Sequence, residues 1–208
     1  MSDPRHDDTL PAGDTSGGRH ERPAAVLFDR DGTLIEDVPY NSDPRLVRVL
    51  PGVPEALRLL RAAAIPTAVV SNQSGVGRGL LTENQVRLVN ARVDDALGGF
   101  GTWVYCPHHP EDGCHCRKPK PGLVIEAARR LAVPAEKCVV IGDIGADVLA
   151  AQAAGARAVL VPNAVTRAEE VTAAPHTAPD VLSAVRQLLG HGPETAPVPA
   201  AETWGWDR

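Results

Sequence analysis

The chain has 208 residues, of which 43% are hydrophobic, so it is long enough to bury the core of one α/β domain. Its formal net charge of −5 provides no basic surface for a run of phosphates, which argues against a nucleic-acid partner. No apolar run reaches the roughly 18 residues of a membrane helix, and the polar N-terminus lacks the apolar segment of a signal peptide. We therefore expect a cytoplasmic protein without a membrane partner.

Both ends of the chain are rich in Pro, Gly, Ala and charged residues and show no apolar periodicity. Such segments cannot bury enough apolar surface to fold, so we expect disordered or mobile tails over residues 1–22 and 191–208. The second tail contains Trp204 and Trp206, which could instead dock on the body of the protein or on a partner. The remaining residues, 23–190, are expected to form one domain.

Short β-branched segments alternate with helical patterns along this domain. The predicted strands cover residues 24–28, 66–71, 102–106, 137–142 and 156–161. The predicted helices cover residues 51–63, 82–97, 121–132, 146–156 and 180–190. Thr82 and Gln85 fit a capping box at the start of the second helix. This alternation predicts an α/β fold with a Rossmann-like parallel sheet flanked by helices on both faces.

Four of the predicted strands are followed by polar residues of the kinds that phosphate chemistry uses. These residues are Asp29 and Asp31; Ser71, Asn72, Gln73 and Ser74; Arg117 and Lys118; and Asp143 and Asp147. Each type alone is common in turns, helix caps and solvated faces. Ligands of parallel sheets bind beyond the carboxyl ends of the strands, so the four groups together predict one site at that edge.

The four strand-end segments resemble the motifs of the haloacid dehalogenase superfamily over roughly residues 24–165. They read DRDGT, SNQSG, RKPKPG and GDIGAD. Two longer segments, NQSGVGRG and CPHHPEDGCHCRKPKPG, resemble the subgroup that contains the heptose 1,7-bisphosphate 7-phosphatases and the histidinol-phosphate phosphatases. The continuation GVGRG favours the heptose enzymes. The resemblance implies a magnesium-dependent phosphomonoester hydrolase that acts on a small sugar phosphate.

The chemistry of phosphate monoesters explains why two aspartates follow the first strand. Hydrolysis needs a nucleophile and also a proton for the departing alkoxide. Asp29 would attack phosphorus and form an aspartyl-phosphate intermediate. Asp31 would protonate the leaving oxygen and then activate the water that hydrolyses the intermediate. A second aspartate also favours phosphatase over dehalogenase chemistry, because a carbon–halogen substrate needs no such proton.

The crowding of these carboxylates against a phosphate dianion requires a compensating cation. By the resemblance, Mg²⁺ would bind the carboxylates of Asp29 and Asp143 and the backbone carbonyl of Asp31. Asp147 would orient this set of ligands or cap the helix that follows, and both alternatives stay open.

The transferring phosphoryl group also needs donors that stabilise its negative charge. Ser71 would offer a hydroxyl, and Lys118 would place its ammonium between the phosphate and Asp29. Gly32 and Gly75 are expected to let the backbone approach the anion closely.

The resemblance also implies a set of substrate-binding residues. They are Asp37, Tyr40, Asn72, Gln73, Ser74 and Arg117. Ile144 stands where a lysine is common in the heptose enzymes, which removes one potential contact to a substrate phosphate. Only 38 positions separate Asp31 from Val69, which is too few for a large cap domain beside the predicted helix.

Three of the four cysteines lie within 11 residues, at Cys106, Cys114 and Cys116. This spacing is too tight for a natural disulfide framework and indicates a metal site in a reducing compartment. With one histidine the cysteines would form a closed, structural zinc site in a loop insertion. The family pattern gives His108 as the fourth ligand, although spacing alone also allows His109 or His115. Zinc would then hold the loop that leads into Arg117 and Lys118.

Other functions remain open from the sequence alone. A zinc-stabilised interaction module without activity is the alternative from a different class, and a phosphotransferase or mutase would use the same chemistry with another acceptor. Cys138 lies within a strand pattern and is expected to be a small core residue. We expect a monomer.

Overall fold

The computed structural model describes residues 22–190, and this part of the chain contains one parallel sheet of five strands. The strands are β1 (Ala25–Phe28), β2 (Thr67–Asn72), β3 (Thr102–Cys106), β4 (Cys138–Gly142) and β5 (Arg157–Leu160). Their order in the sheet is β3-β2-β1-β4-β5, and Val26 of β1 lies opposite Thr67 on one side and Val139 on the other. The predicted strands and the parallel sheet are confirmed.

Helices connect and cover these strands. They are α1 (Val53–Ala62), α2 (Glu83–Leu97), α3 (Gly122–Arg130), α4 (Gly145–Ala153), α5 (Ala168–Ala173) and α6 (Val181–Leu188). The capping box of α2 is confirmed, since Thr82 Oγ1 accepts from the Gln85 backbone N–H and Gln85 Oε1 accepts from that of Thr82. The sequence did not predict α5, whose six residues include only one large apolar side chain and therefore show no apolar stripe.

The sheet separates two apolar cores. Val26 and Phe28 of β1 pack on one face with residues of α1, α2 and α6, while Ala25 and Leu27 pack on the other face with α3 and α4. Because β1 is buried on both faces, its sequence is a continuous apolar run instead of an alternation. The central strand is therefore held from both sides, and the residue that follows it has a rigid base.

The connection from β1 to β2 contains α1 and a short 3-10 turn, Pro44–Leu46, with no further domain. Within residues 22–190 there is no helix with the length and apolar character needed to cross a membrane. The expected tails lie outside the described residues, apart from Arg22.

Candidate active site

The strand order places three predicted functional segments side by side. β1 lies between β2 and β4, so Asp29 after β1, Ser71 on β2 and Asp143 after β4 meet at one edge of the sheet. A cavity of about 250 Å³ opens at this edge. Ten residues predicted from the sequence line it: Asp29, Asp31, Asp37, Tyr40, Ser71, Asn72, Gln73, Ser74, Lys118 and Asp143.

Arg117 is the predicted substrate-binding residue that does not line this cavity. Its Nη1 atom is buried and has no hydrogen-bond partner, and it is alone in this respect among the side-chain nitrogens and oxygens of the described residues. The structure thus places Arg117 beside Lys118 in the chain but outside the wall of the cavity.

Lys118 reaches the base of the cavity and is buried there. Its ammonium donates to Asp29 Oδ1 and to Asp147 Oδ1, both at 2.5 Å, and to the backbone carbonyl of Val70 at 2.8 Å. Burial alone would lower the pKa of Lys118, but the carboxylates of Asp147 and Asp29 raise it above its usual value. Lys118 therefore remains an ammonium group directly beside Asp29.

The carboxylates at this edge are crowded and desolvated. Burial raises the pKa of Asp29 well above its usual value, with further increases from Asp147, Asp143 and Asp31 and an opposing effect of Lys118. Burial and the charge of Asp147 raise the pKa of Asp143 to about 6. A group of carboxylate oxygens that repel one another in a buried position is a suitable donor set for a hard divalent cation.

The structure gives Asp147 the helix-cap role that the sequence left as one of two alternatives, together with a contact to Lys118. It is 1% exposed, and its Oδ2 atom accepts from the backbone N–H of Ile144 at 3.3 Å at the start of α4. Its Oδ1 atom accepts from Lys118. Asp147 therefore caps the helix and also positions the ammonium of Lys118.

Asp31 is held by two neighbouring side chains. Arg30 donates through Nε to Asp31 Oδ1 at 3.1 Å and through Nη2 to Asp31 Oδ2 at 2.9 Å. Gln73 donates to Asp31 Oδ2 at 2.9 Å and also to Ser71 Oγ at 2.8 Å. The amide of Gln73 thus joins two functional groups of the site, in addition to lining the cavity.

The side chain of Asn72 is hydrogen-bonded to the backbone of Lys118. Its amide accepts from the backbone N–H of Lys118 and donates to the backbone carbonyl of Lys118, both at 3.1 Å. A pair of bonds of this kind fixes the backbone of the lysine relative to β2. Asn72 thus positions Lys118 and also lines the cavity, and its expected contact with substrate stays a prediction.

Asp37 and Tyr40 form the outer wall of the cavity. Burial and the charge of Asp31 raise the pKa of Asp37. Tyr40 is 48% exposed and has a φ of 52°, in the left-handed region that non-glycine residues rarely adopt. Its ring lies next to Gly75, which also lines the cavity.

Gly32 and Gly75 also have a steric role, beside the expected approach of backbone to the phosphate, which stays a prediction. Gly32 has a φ of 78°, and a Cβ atom there would lie 2.4 Å from Asp143 Oδ2. A Cβ atom at Gly75 would lie 2.8 Å from Tyr40 Cδ1. Both glycines thus make room for side chains of the site.

Two residues that hold Asp143 were missed by the sequence analysis. Asn163 Nδ2 donates to Asp143 Oδ2 at 2.8 Å, and the Thr166 hydroxyl donates to the backbone carbonyl of Asp143 at 2.6 Å. Both follow β5, which neighbours β4 in the sheet. Extending the search for polar strand-end residues to the fifth strand would have found Asn163.

A second group of possible ligands, the thiol cluster, lies in the loop that follows β3. It consists of Cys106, His108, Cys114 and Cys116, whose ligand atoms all lie within 4.8 Å of one another. The Sγ atom of Cys114 is 3.6 Å from those of Cys106 and Cys116, and His108 Nδ1 is 3.2 Å from Cys116 Sγ. Zinc–sulfur bonds of about 2.3 Å in a tetrahedron separate the sulfurs by about 3.8 Å, so the cluster fits one tetrahedral ion.

The structure distinguishes the three candidate histidines. His108 belongs to the cluster, whereas the ring of His109 accepts from the backbone N–H of Glu111 at the start of a short 3-10 turn. His115 is not part of the group. The position that the family pattern indicated is therefore the one whose ring faces the thiols.

The thiols differ in their acidity without a metal. Burial raises the pKa of the Cys106 thiol to about 12. Burial also acts to raise the pKa of Cys114, but hydrogen bonds from the Arg117 backbone and the neighbouring thiols lower it to about 7. Thiolates are the form that binds metal, so binding of an ion to this cluster would release protons.

Hydrogen bonds connect the thiol-cluster loop to the active-site cavity. The backbone N–H of Gln73 donates to the Cys106 carbonyl at 2.8 Å, and that of Gly77 donates to the Pro107 carbonyl at 2.7 Å. Lys120 closes the loop from the other side, since its ammonium donates to the carbonyls of Gly113 and Cys114. The loop thus spans the distance between β3 and Lys118 with fixed contacts at both ends.

Comparison with known proteins gives consistent relatives. The HAD-hydrolase-like family model matches residues 115–188. The chain is 38% identical over 145 residues to D-glycero-β-D-manno-heptose-1,7-bisphosphate 7-phosphatase of Rhodopseudomonas palustris, covering 64% of this chain and 80% of that protein. It is 36% identical over 122 residues to a probable enzyme of the same name from Thermoplasma volcanium, covering 57% of this chain and 84% of that protein.

A solved structure supports the same relationship. The D,D-heptose 1,7-bisphosphate phosphatase of B. bronchiseptica, crystallised with magnesium and phosphate, superposes with a TM-score of 0.72 at 31% identity. The match covers 80% of this chain and 98% of that one. A HAD-like phosphatase from Mesorhizobium loti matches with a TM-score of 0.65 at 32% identity, covering 83% of this chain and 91% of the other.

Proposed function

The chain belongs to the haloacid dehalogenase-like phosphatases, in the family of the heptose-1,7-bisphosphate 7-phosphatases, and we propose that it hydrolyses the 7-phosphate of D-glycero-D-manno-heptose 1,7-bisphosphate. It is a phosphoric monoester hydrolase. The observation that carries the proposal is the cavity in which the buried ammonium of Lys118 contacts Asp29 while Asp31 and Asp143 line the same wall. An interaction module without activity has no physical need for this arrangement.

The first step transfers the phosphoryl group to the protein. A carboxylate oxygen of Asp29 attacks phosphorus, the bond between phosphorus and the sugar oxygen breaks, and the carboxyl group of Asp31 gives its proton to that oxygen. The ammonium of Lys118 donates to Asp29 and would stabilise the negative charge of the transferring phosphoryl group. The hydroxyl of Ser71 accepts from Gln73, so its own proton is available for a phosphoryl oxygen.

The second step releases inorganic phosphate. The carboxylate of Asp31 takes a proton from a water molecule, whose oxygen attacks the phosphorus of the aspartyl-phosphate as the bond to Asp29 breaks. Arg30 and Gln73 hold the carboxyl group of Asp31 in place throughout. Both aspartates then have the protonation state with which the cycle began.

Magnesium fits the oxygen donors at this edge, and Asp29, Asp143 and the backbone carbonyl of Asp31 would hold it. When bound, it would neutralise the repulsion among the carboxylates and the phosphate and orient the phosphate for in-line attack. Asn163 and Thr166 would keep Asp143 oriented for this purpose.

Zinc is the metal that we propose for the thiol cluster. Four protein ligands leave no open position, so the ion would be structural. Its function would be to hold the loop that leads into Arg117 and Lys118. The need for free thiols agrees with a cytoplasmic site of action, which stays a prediction together with the monomeric state.

Recognition of the leaving group would fall to the outer wall of the cavity and to Arg117. Asp37, Tyr40 and Ser74 line this wall, whereas Arg117 lies outside it with its Nη1 atom buried, so a contact of Arg117 with a remote group of the substrate would require this side chain to move. Ile144 also lines the cavity. A lysine is common at this position in the heptose enzymes, so this protein lacks one cation that would face the substrate. This difference keeps histidinol phosphate and other sugar phosphates as the alternative substrates.

The test is phosphate release in the presence of Mg²⁺ from heptose 1,7-bisphosphates, histidinol phosphate and common hexose phosphates, ranked by kcat/KM. We expect a heptose bisphosphate to rank first. Another sugar phosphate at the head of the ranking would leave the reaction in place and overturn the substrate.

Asp29→Asn tests the reaction itself, with Asp95→Asn on the exposed side of α2 as its matched control. We expect Asp29→Asn to lose about 10³-fold or more in kcat because the nucleophile is gone. Equal phosphate release by both variants would remove the phosphatase proposal.

A further inference from the structure

Arg30 is a buried cation whose role the reaction above does not fully use. It is 2% exposed, and its Nε and Nη2 atoms grip the two carboxylate oxygens of Asp31. Its remaining terminal nitrogen, Nη1, points away from Asp31 and donates to Asn90 Oδ1 at 2.6 Å. Asn90 lies on α2 and is 60 residues away in the sequence.

Asn90 is unusual among the inward-facing residues of α2. The other buried positions of this helix are Val86, Val89, Val93 and Leu97. A buried amide among apolar side chains costs free energy unless it is hydrogen-bonded, and the partner of Asn90 Oδ1 is the guanidinium of Arg30. The helix thus places one polar side chain in its apolar face, and the Oδ1 atom of that side chain accepts from Arg30.

Three contacts constrain a planar guanidinium more strongly than two. The two hydrogen bonds from Arg30 to Asp31 fix the distance between the guanidinium and the carboxyl group, but both groups could still rotate together. The bond to Asn90 anchors the opposite end of the guanidinium on a helix that is packed in the core. The orientation of the Asp31 carboxyl group is therefore tied, through Arg30, to the position of α2.

The contacts also distinguish the two oxygens of Asp31. Oδ2 accepts from both Arg30 and Gln73, whereas Oδ1 accepts only from Arg30 among the hydrogen bonds of the described residues. A carboxylate oxygen has two lone-pair positions, so Oδ1 keeps one that is unused. Oδ1 is thus the oxygen at which a proton can be held and passed on.

We propose that Asn90 is a positioning residue that acts through Arg30 to aim Oδ1 of Asp31 at the leaving oxygen of the substrate. The inference rests on the proposed role of Asp31 as general acid and base. Asn90 itself does not line the cavity, so it touches neither substrate nor the reacting atoms.

The test exploits the fact that leaving groups differ in their need for a proton. An alkoxide from a sugar must be protonated as it leaves, whereas p-nitrophenolate is stable without a proton. Asn90→Leu removes the acceptor at similar volume. We expect kcat/KM for the sugar phosphate to fall roughly 10-fold, part of the ~100-fold or more that general acid–base catalysis contributes, and that for p-nitrophenyl phosphate to fall less than about 3-fold.

Two variants serve as matched controls. Asn90→Asp keeps an acceptor oxygen for Arg30 and should preserve the ratio of the two kcat/KM values. Asp94→Ala, one turn further along α2, removes hydrogen bonds to the Phe100 backbone and to Trp103 Nε1 that have no connection with the site. It should lower the melting temperature and leave the ratio unchanged.

A folded Asn90→Leu variant with the wild-type ratio would overturn the proposal, as would an equal loss on both substrates. If Asn90→Leu does not fold, Arg30→Lys provides the second route, because a lysine cannot contact both Asp31 oxygens and Asn90 at once. The same change in ratio is expected there, and an unchanged ratio overturns the proposal. Activity of Asp29→Asn on both substrates would instead disprove the proposed reaction.

Discussion

The molecule contains two regions suited to metal ions, and they are built in opposite ways. The carboxylate centre, formed by Asp29, Asp143 and Asp147 with Lys118, takes its carboxylates from the segments after β1 and β4 and its lysine from the connection between β3 and α3. The thiol cluster takes all of its ligands from one short segment, residues 106–116, which begins at the last residue of β3. The first is assembled by the order of the strands, whereas the second is assembled within one short segment of the chain.

This difference determines what each region loses without its metal. The carboxylate centre has an internal cation, since Lys118 contacts two of its carboxylates in a buried position. The thiol cluster has only the bond network of its loop, including the two bonds from Lys120. We therefore expect the centre to keep its shape without Mg²⁺, and the loop to depend on its ion.

The largest effect is expected from Lys118→Met, which removes the internal cation. Asp29 and Asp147 would be left buried without their cationic partner, which typically costs about 3–5 kcal/mol. Loss of a donor to the transferring group should lower kcat by roughly 10²–10³-fold. Lys137→Met, at the other end of β4, is the control for both thermal unfolding and phosphate release. A centre that tolerates Lys118→Met would not be organised by its lysine.

The next effect comes from the thiol cluster, where Cys116→Ser removes one ligand. We expect loss of bound zinc and, because the loop leads into Lys118, a fall in kcat/KM of about 10-fold or more. Cys138→Ser is the matched control, since Cys138 is buried in β4 outside the cluster. Zinc content and kcat/KM are measured on the same sample. Full activity without zinc would show that the carboxylate centre does not depend on the thiol cluster.

Thermal unfolding at a series of pH values tests the carboxylate centre without any substrate. Asp143 has a pKa of about 6 in the metal-free fold and an ordinary value of 3.8, so between these values the folded protein binds more protons than the unfolded chain. This contribution to stability is therefore present at low pH and is lost as pH rises through that window.

Magnesium binds the deprotonated carboxylate, so its effect has the opposite sign. Its apparent affinity should fall by about 10-fold per pH unit below pH 6 if one proton competes. The increase in melting temperature caused by Mg²⁺ should be larger at pH 7.5 than at pH 5. Equal increases at both pH values would contradict the assignment, as would a pH dependence of stability that is equally large in Asp143→Asn, since Asp29 and Asp37 should account for only the remainder.

The smallest effect is expected from Lys120→Met, which removes the two hydrogen bonds from the Lys120 ammonium to the thiol-cluster loop. The loop would still have its four ligands, so we expect zinc to be lost to a chelator only about 3-fold faster, which is below the roughly 10–100-fold effects typical of changes to groups that hold the ligands. Lys137→Met again serves as the control. A loss of zinc as large as that in Cys116→Ser would mean that the hydrogen bonds of Lys120, and not the metal ligands, hold the loop.

Local patterns were sufficient to predict most of the fold and the main groups of the site. The continuous apolar run of β1 indicated a strand buried on both faces, and the polar residues after it indicated the edge where the cavity lies. The short helix α5 escaped because it has no apolar stripe. The spacing of the cysteines indicated the thiol cluster but left three histidines open.

What the sequence by itself determined was the set of elements and the chemical types at their ends, because apolar periodicity and ligand spacing are encoded within short segments. Only the tertiary structure decided the pairings: Lys118 with Asp147, Asn163 with Asp143, and Arg30 with Asn90. Each joins residues from 20 to 60 positions apart. Their contact follows from strand order and helix packing, which no local pattern contains.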